Sequence, residues 1–178
     1  EMKKFYKNKK ILITGATGFK GAWLCQILDL LGANILGIGY KPNKNQNLFN
    51  DLELKKKINL KYSDIRDYKK LNKIINSFKP QIIFHLAAQP IIFQSYVDPV
   101  GTININSIGT LNILDILRTS TSVKSIVCIT SDKCYANNFS TKGFKETDSL
   151  GGSDPYSASK ASAEIIIHAY TESYFKSK

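Results

Sequence analysis

Short apolar runs alternate along this chain with longer segments in which apolar residues recur at helical spacing. Five of the runs predict buried strands, at Lys9–Thr14, Asn34–Gly39, Ile58–Tyr62, Gln81–Leu86 and Ser125–Thr130. The segments between and after them predict helices, at Ala22–Leu31, Asp67–Phe78, Pro99–Arg118 and Tyr156–Phe175. Because such strand–helix units give parallel strands with right-handed crossovers, we expect an α/β fold, a doubly wound parallel Rossmann-type sheet.

Polar stretches between these segments predict two loops, one over Tyr40–Asn50 and one over Asn137–Asp154. The helix predicted after Arg66 has an aspartate, Asp67, in the position of a helix cap and should bury Leu71, Ile74, Ile75 and Phe78. Pro80 should end it.

Composition narrows the classes of protein that this chain can be. It has 178 residues, 43% hydrophobic, and a net charge of +11. The lysines are scattered along the chain, so we do not expect nucleic acid as a partner. No apolar run approaches the ~20 residues of a membrane span, and the N-terminus lacks a signal-peptide core. Cys25, Cys128 and Cys134 are unclustered, which predicts free thiols in a reducing cytoplasm and no metal site.

A glycine-rich turn joins the first predicted strand to the first predicted helix. Gly15, Gly18 and Gly21 recur at three-residue spacing. Glycines here let the backbone turn tightly and approach a pyrophosphate, whose charge the helix N-terminus favours. The turn therefore predicts a dinucleotide site.

Three motifs fall at the carboxyl ends of predicted parallel strands, where ligands of such sheets bind. They are the Gly15 turn, Leu86–Gln89 and Thr130–Lys133. We expect them to converge on one crevice.

Tyr156 and Lys160 are four residues apart and should share one face of a helix. A nearby ammonium stabilises a phenolate, so the tyrosine could act as a base. By itself this spacing also fits an ordinary surface pair.

Together these motifs resemble the extended short-chain dehydrogenase/reductase family. The resemblance rests on the Gly15-x-x-Gly18-Phe19-x-Gly21 turn, His85–Gln89, Asn106-x-x-Gly109-Thr110 and Tyr156-x-x-x-Lys160, in the order of that family. Within it the chain most resembles the 4,6-dehydratases that act on CDP-glucose. The residues that carry this second resemblance are Gly18–Leu24, Asp64–Asp67, Ala87–Pro90, Ile129–Tyr135 and Gly151–Ser157.

The resemblance implies a lyase reaction that uses NAD as a recycled cofactor. Tyr156 would remove the sugar O4 proton while C4 gives up a hydride, water would then leave across C5 and C6, and the hydride would return to C6. Lys160 would assist Tyr156 and bind the nicotinamide ribose, Ser131 would hydrogen-bond O4, and Asp132 would protonate the departing hydroxyl. The alternative roles are purely structural: Ser131 would be a hydroxyl at a strand end, and Asp132 would cap a loop.

Lys133 stands where related dTDP-glucose enzymes carry a glutamate that resembles the C5 base. Burial and the charge of Lys160 could favour a neutral amine that acts as this base. Alternatively, a charged Lys133 would stabilise the enolate. The sequence leaves both roles open.

NAD is the expected cofactor, and NADP is the alternative. The second strand ends in Gly39-Tyr40-Lys41-Pro42, without the usual acid, and Lys41 is either a partner for a 2′-phosphate or simply exposed. The resemblance implies adenine contacts at Asp64 and Ile65. The full set of expected cofactor residues is Gly15, Thr17, Gly18, Phe19, Gly21, Tyr40, Lys41, Asp64, Ile65, Leu86, Ala87, Ala88, Gln89, Asn106, Thr130, Tyr156 and Lys160.

Members of this family are about twice as long, so we expect an N-terminal part, truncated before the small substrate-binding domain. The family also implies a homodimer through the Gly109 and Tyr156 helices, with contacts at Ile113, Ile116, Ile165 and Ile166. We expect core packing for Trp23 and structural roles for His85 and His168. Rival interpretations are a sugar-nucleotide epimerase or reductase, which would not need Asp132 and Lys133, and an inactive NAD-binding remnant.

Overall fold

The computed structural model describes residues 1–42, 48–136 and 143–176. These fall into two compact units. The first contains Glu1–Ala87 and Thr119–Ile129, and the second contains Ala88–Arg118 and the chain from Thr130 onward.

A parallel sheet forms the first unit. Its five strands within the described residues are β1 (Lys10–Thr14), β2 (Asn34–Gly39), β3 (Asn59–Tyr62), β4 (Ile82–His85) and β5 (Ser125–Cys128). They lie in the order β3-β2-β1-β4-β5, and Leu12 at the centre pairs in register with Leu36 and Ile83. The predicted parallel Rossmann-type sheet is therefore confirmed.

Helices of the first unit are α1 (Met2–Tyr6), α2 (Phe19–Leu30), α3 (Leu48–Asp51), α4 (Leu54–Lys57) and α5 (Tyr68–Phe78). The predicted cap of α5 is confirmed, since Asp67 accepts a hydrogen bond from the Lys70 amide at 3.0 Å. The loop predicted over 40–50 is wrong at its end, where α3 begins. Its centre, 43–47, lies outside the described residues, as does 137–142 of the second predicted loop.

Alternate residues of β1 face α2. Ile11 and Ile13 join Ala22, Cys25 and Leu28 of that helix in one buried cluster. All three cysteines of the chain are free, as predicted.

The opposite face of α2 carries an exposed apolar stripe of Phe19, Trp23, Ile27 and Leu30. Trp23 is 45% exposed, so the prediction that it packs in the core is wrong. The helix is apolar around much of its circumference, and the sheet covers only one side of it.

Within the second unit the described helices are α6 (Ile92–Val97), α7 (Pro99–Ile103), α8 (Gly109–Arg118) and α9 (Pro155–Tyr170). The π-helical turn Asn104–Ile108 joins α7 to α8, so the predicted long helix is present with a wider turn at its centre. A second π turn, Thr171–Phe175, continues α9, and a 3₁₀ turn covers Asp132–Cys134.

Two of the residues predicted to make dimer contacts are unavailable for that purpose. Ile113 and Ile116 are 0% and 1% exposed, because α8 buries its apolar face within the chain itself. Ile165 on α9 is exposed. Among the described helices, none combines the length and the hydropathy needed to cross a bilayer.

Candidate active site

The glycine turn after β1 is packed too closely for side chains. Gly15 has a φ of +72°, and a Cβ there would lie 2.8 Å from the Ala87 nitrogen. A Cβ on Gly21 would lie 2.0 Å from the Gly15 oxygen. The turn therefore requires glycine at both positions, and it brings the predicted Gly15 and Ala87 sites together.

Within the described residues, the helix end that follows this turn lacks a side-chain cap, unlike the starts of α5, α7 and α9. Asp67, Asp98 and Asp154 cap α5, α7 and α9 with their carboxylates. None of the described side chains caps α2, whose cap residue is Gly18. An uncapped N-terminus behind a tight glycine turn fits the pyrophosphate of a dinucleotide.

A hydrogen-bonded link connects the ends of β1 and β4. The Thr14 hydroxyl lies 2.6 Å from His85 Nδ1 and accepts from the Ala87 amide at 3.1 Å. His85 is buried, as the sequence predicted for a structural histidine. This link fixes Leu86 and Ala87 beside the glycine turn.

Asp64 and Arg66 form an ion pair just beyond β3. Arg66 Nη2 donates to Asp64 Oδ2 at 2.6 Å, and the Arg66 amide donates to Oδ1 at 2.8 Å. These bonds lower the pKa of Asp64 to about 2, although partial burial opposes the change. Tyr40, at the end of β2, also bonds to Asp64; burial first and this bond second raise the pKa of the phenol. Sequence reasoning missed Arg66.

Other predicted cofactor residues of the first unit have unequal exposure. Phe19, Tyr40 and Lys41 are exposed, and Ile65 is 4% exposed. Thr17 is buried against Gly39, where an added Cβ would meet its hydroxyl at 2.5 Å.

In the second unit, the Asn106 side chain is used entirely by hydrogen bonds within the chain. Its Oδ1 accepts from the Gln89 amide at 2.8 Å, and its Nδ2 donates to the Gln89 oxygen at 3.0 Å and to Ser159 Oγ at 2.9 Å. Ser159 Oγ in turn donates to the Tyr156 oxygen at 2.6 Å. Asn106 is 1% exposed and thus holds Gln89 and α9 in place, a role that the sequence did not indicate.

Tyr156 and Lys160 lie on α9 as predicted, and both are buried, at 8% and 5% exposure. The helix begins at Pro155, which needs no amide partner there. Asp154 caps it by accepting from the Ser157 amide at 2.9 Å and the Ser157 hydroxyl at 2.5 Å. Burial opposes ionisation of Asp154, but the Ser157 bonds outweigh it and lower the pKa.

Ser131 begins the 3₁₀ turn that packs against α9. Its hydroxyl donates to Asp132 Oδ1 at 3.1 Å and accepts from the Lys133 amide at 3.2 Å. Asp132 and Lys133 are exposed, because the turn lies at the surface of the chain. The burial expected for Lys133 is therefore not found.

Comparison with known proteins defines the class of this fold and these motifs. A model of the GDP-mannose 4,6-dehydratase family matches residues 12–176, and the chain belongs to that family. The resemblance stated from the sequence is thereby confirmed.

Among curated relatives, the CDP-glucose 4,6-dehydratase of Salmonella typhimurium is 40% identical over 97% of this chain and 48% of its own length. The chain thus spans about half the length of that relative.

Solved structures give the same fold. The UDP-glucose 4-epimerase of Thermotoga maritima matches with a TM-score of 0.82 at 24% identity, over 93% of this chain and 52% of its own. The dTDP-glucose 4,6-dehydratase of Bacillus anthracis, solved with NAD, matches with a TM-score of 0.76 at 25% identity, over 93% and 51%.

Proposed function

We propose that this chain carries the NAD-binding and catalytic residues of a cytoplasmic 4,6-dehydratase that converts CDP-glucose to CDP-4-keto-6-deoxyglucose. The observation that carries the proposal is the buried Tyr156 and Lys160 pair on α9, in a chain that is 40% identical to a CDP-glucose 4,6-dehydratase. The free thiols suit the reducing cytoplasm.

NAD is the cofactor that we propose, and its fit depends on the glycine turn. The packed turn at Gly15 and Gly21 and the uncapped end of α2 would hold the pyrophosphate. The Asp64 carboxylate, held between Tyr40 and Arg66, would lie on the adenosine side of the cofactor. When bound, NAD would accept a hydride reversibly from C4 of the sugar.

Tyr156 and Lys160 carry the redox half of the proposed reaction. The Tyr156 phenolate would take the proton from the sugar O4, and the Lys160 ammonium would stabilise the phenolate and hold the nicotinamide ribose. Asp154 and the Asn106–Ser159 bonds keep the start of α9 in place, so these two side chains have a fixed support.

Asp132 and Lys133 carry the elimination half. Asp132 would protonate the hydroxyl that leaves C6 as water, while solvent water accepts the C5 proton and a C5–C6 double bond forms. Because Lys133 is exposed, we favour its role as a charged stabiliser of the enolate over its role as the C5 base. Ser131 would hydrogen-bond O4.

A product assay tests the proposal. The chain is incubated with NAD and CDP-glucose, and products are identified by mass and NMR. We expect a 4-keto-6-deoxy product lighter than CDP-glucose by one water. A C4 epimer of unchanged mass would instead support an epimerase, and NAD binding without turnover would support an inactive remnant.

We also propose a homodimer that uses the exposed side of α9. Ile165 on α9 is 57% exposed, and Ile108 on the π turn before α8 is 41% exposed. Helix α9 and the π turn before α8 therefore keep apolar side chains at the surface of the chain, although Ile113 and Ile116 of α8 are buried.

A further inference from the structure

Glu164 lies on α9, four residues beyond Lys160 and eight beyond Tyr156. At that spacing it shares their side of the helix. Its side chain is half-buried. The proposed reaction gives it no role.

Glu164 binds the residue that directly precedes the Ser131 turn. The Thr130 hydroxyl donates a hydrogen bond to Glu164 Oε1. A bond of this kind to a carboxylate is stronger than one between neutral groups. It connects the helix that bears Tyr156 to the chain segment that bears Asp132 and Lys133.

The charge of Glu164 also acts on the far end of the same turn. Cys134 is buried, and its amide donates to the Ser131 oxygen at 3.0 Å. Burial, and then the negative charge of Glu164, raise the pKa of the Cys134 thiol. The carboxylate therefore bonds to the residue before the turn and influences the thiol at its far end.

We propose that Glu164 is a positioning residue that, through Thr130, fixes the Ser131–Lys133 turn against the helix carrying Tyr156 and Lys160. This role depends on the proposed function only in what the turn is used for. We call the Thr130–Glu164 hydrogen bond the tether. It is a property of the chain itself and can be measured without substrate.

Cysteine labelling measures the tether. N-ethylmaleimide is added to the folded chain, and the rate at each cysteine is read from peptide masses. If the tether holds the turn closed, Glu164→Ala should raise the labelling rate of Cys134 by about tenfold. Cys25, buried in the first unit, reports global unfolding and should keep its rate.

Conservative variants separate the tether from the charge of Glu164. Glu164→Gln removes the charge but keeps an oxygen that can accept from Thr130, so its Cys134 rate should rise much less than in Glu164→Ala, and that smaller rise reports the lost charge. Thr130→Val keeps the charge but removes the donor and should behave like Glu164→Ala, whereas Thr130→Ser should restore protection. Equal rates in Glu164→Gln and Glu164→Ala, or full protection in Thr130→Val, would overturn the proposal.

Turnover of CDP-glucose gives a second readout. Glu164→Ala should lower kcat by about tenfold with little change in KM, and Glu164→Gln should restore it. A kcat unchanged in Glu164→Ala would contradict the positioning role. Failure of the unaltered chain to turn over would instead count against the proposed function, while the labelling result would still decide the tether.

Discussion

At the scale of single residues, the clearest electrostatic feature is the charge on Asp64. Arg66 is two positions further along the chain and donates to both carboxylate oxygens. The sequence placed Asp64 at a strand end, but the ion pair depends on how the backbone turns after β3. That turn became visible only in the structure.

Asp64 should make stability depend on acid pH. Its pKa is about 2 in the folded chain, below its ordinary 3.8, mainly because Arg66 hydrogen-bonds to the charged form. A carboxyl group whose pKa is lower in the folded than in the unfolded chain stabilises the fold at pH values above its unfolded pKa. For Asp64 that contribution is lost as the pH falls from about 4 towards 2. We therefore expect the stability advantage of the wild type over Asp64→Asn to shrink as pH falls over this range.

Urea unfolding at a series of pH values measures this advantage. Arg66→Gln is the matched variant, because it keeps the carboxyl but removes its ion pair, and it should also lose the pH-dependent part. If the wild type exceeds Asp64→Asn in free energy of unfolding by the same amount at every pH, the ion pair does not lower the pKa of Asp64.

Lys133 should matter for elimination and not for oxidation at C4. Lys133→Met should slow release of the 4-keto-6-deoxy sugar by about a hundredfold, because the enolate loses a neighbouring charge. Oxidation at C4, followed by absorbance of the reduced cofactor, should be nearly unchanged. Lys145→Met, at another exposed lysine of the second unit, is the control. Product release by Lys133→Met at close to the wild-type rate would show that Lys133 has no role in elimination.

Among the helices and strands, the sequence predicted correctly the features that are determined by residues close together in the chain. The bounds of β2 and the Asp67 cap of α5 were correct, because a short apolar run, a capping residue and a following proline are local signals. Helices α3 and α4 have four residues each, too few to show a helical period. The buried face of α2 could not be predicted, since apolar residues lie on both of its sides.

Parts of the site that depend on contacts between distant residues also escaped prediction. The π turn at Asn104–Ile108 contains Asn106, whose amide bonds to Gln89 and to Ser159, 17 and 53 positions away. The Thr130–Glu164 bond spans 34 positions. Tyr156 and Lys160 could be found because one helix carries both.

The glycine turn and the start of α2 should act as one element in NAD binding. Gly21→Ala would push a methyl group against the Gly15 oxygen and so displace the helix end from the turn. We expect NAD affinity to fall by about tenfold or more, measured by calorimetry.

Gly143→Ala is the control for this change, because a Cβ there meets nothing within 4 Å. It should bind NAD as the wild type does. A folded Gly21→Ala variant with wild-type affinity would show that the turn does not hold the cofactor.

At the scale of the whole molecule, the proposed dimer predicts a concentration-dependent change in mass. Ile165→Glu should shift sedimentation from dimer to monomer, because dimerisation would then bury an unpaired carboxylate away from water, which costs free energy. Ile27→Glu, at an isoleucine of α2 that is 49% exposed, should leave the dimer intact. A wild-type monomer, or an unchanged dimer in Ile165→Glu, would contradict the proposal.

We propose that this chain belongs to an enzyme that eliminates water across C5 and C6 of a nucleotide sugar. The most direct test is turnover of CDP-glucose with NAD in heavy water, with the position of deuterium read by NMR. Elimination exchanges the C5 proton with solvent while the hydrogen delivered to C6 comes from C4. We therefore expect a 6-deoxy product with deuterium at C5. A product that keeps its C6 hydroxyl and carries no deuterium at C5 would contradict it.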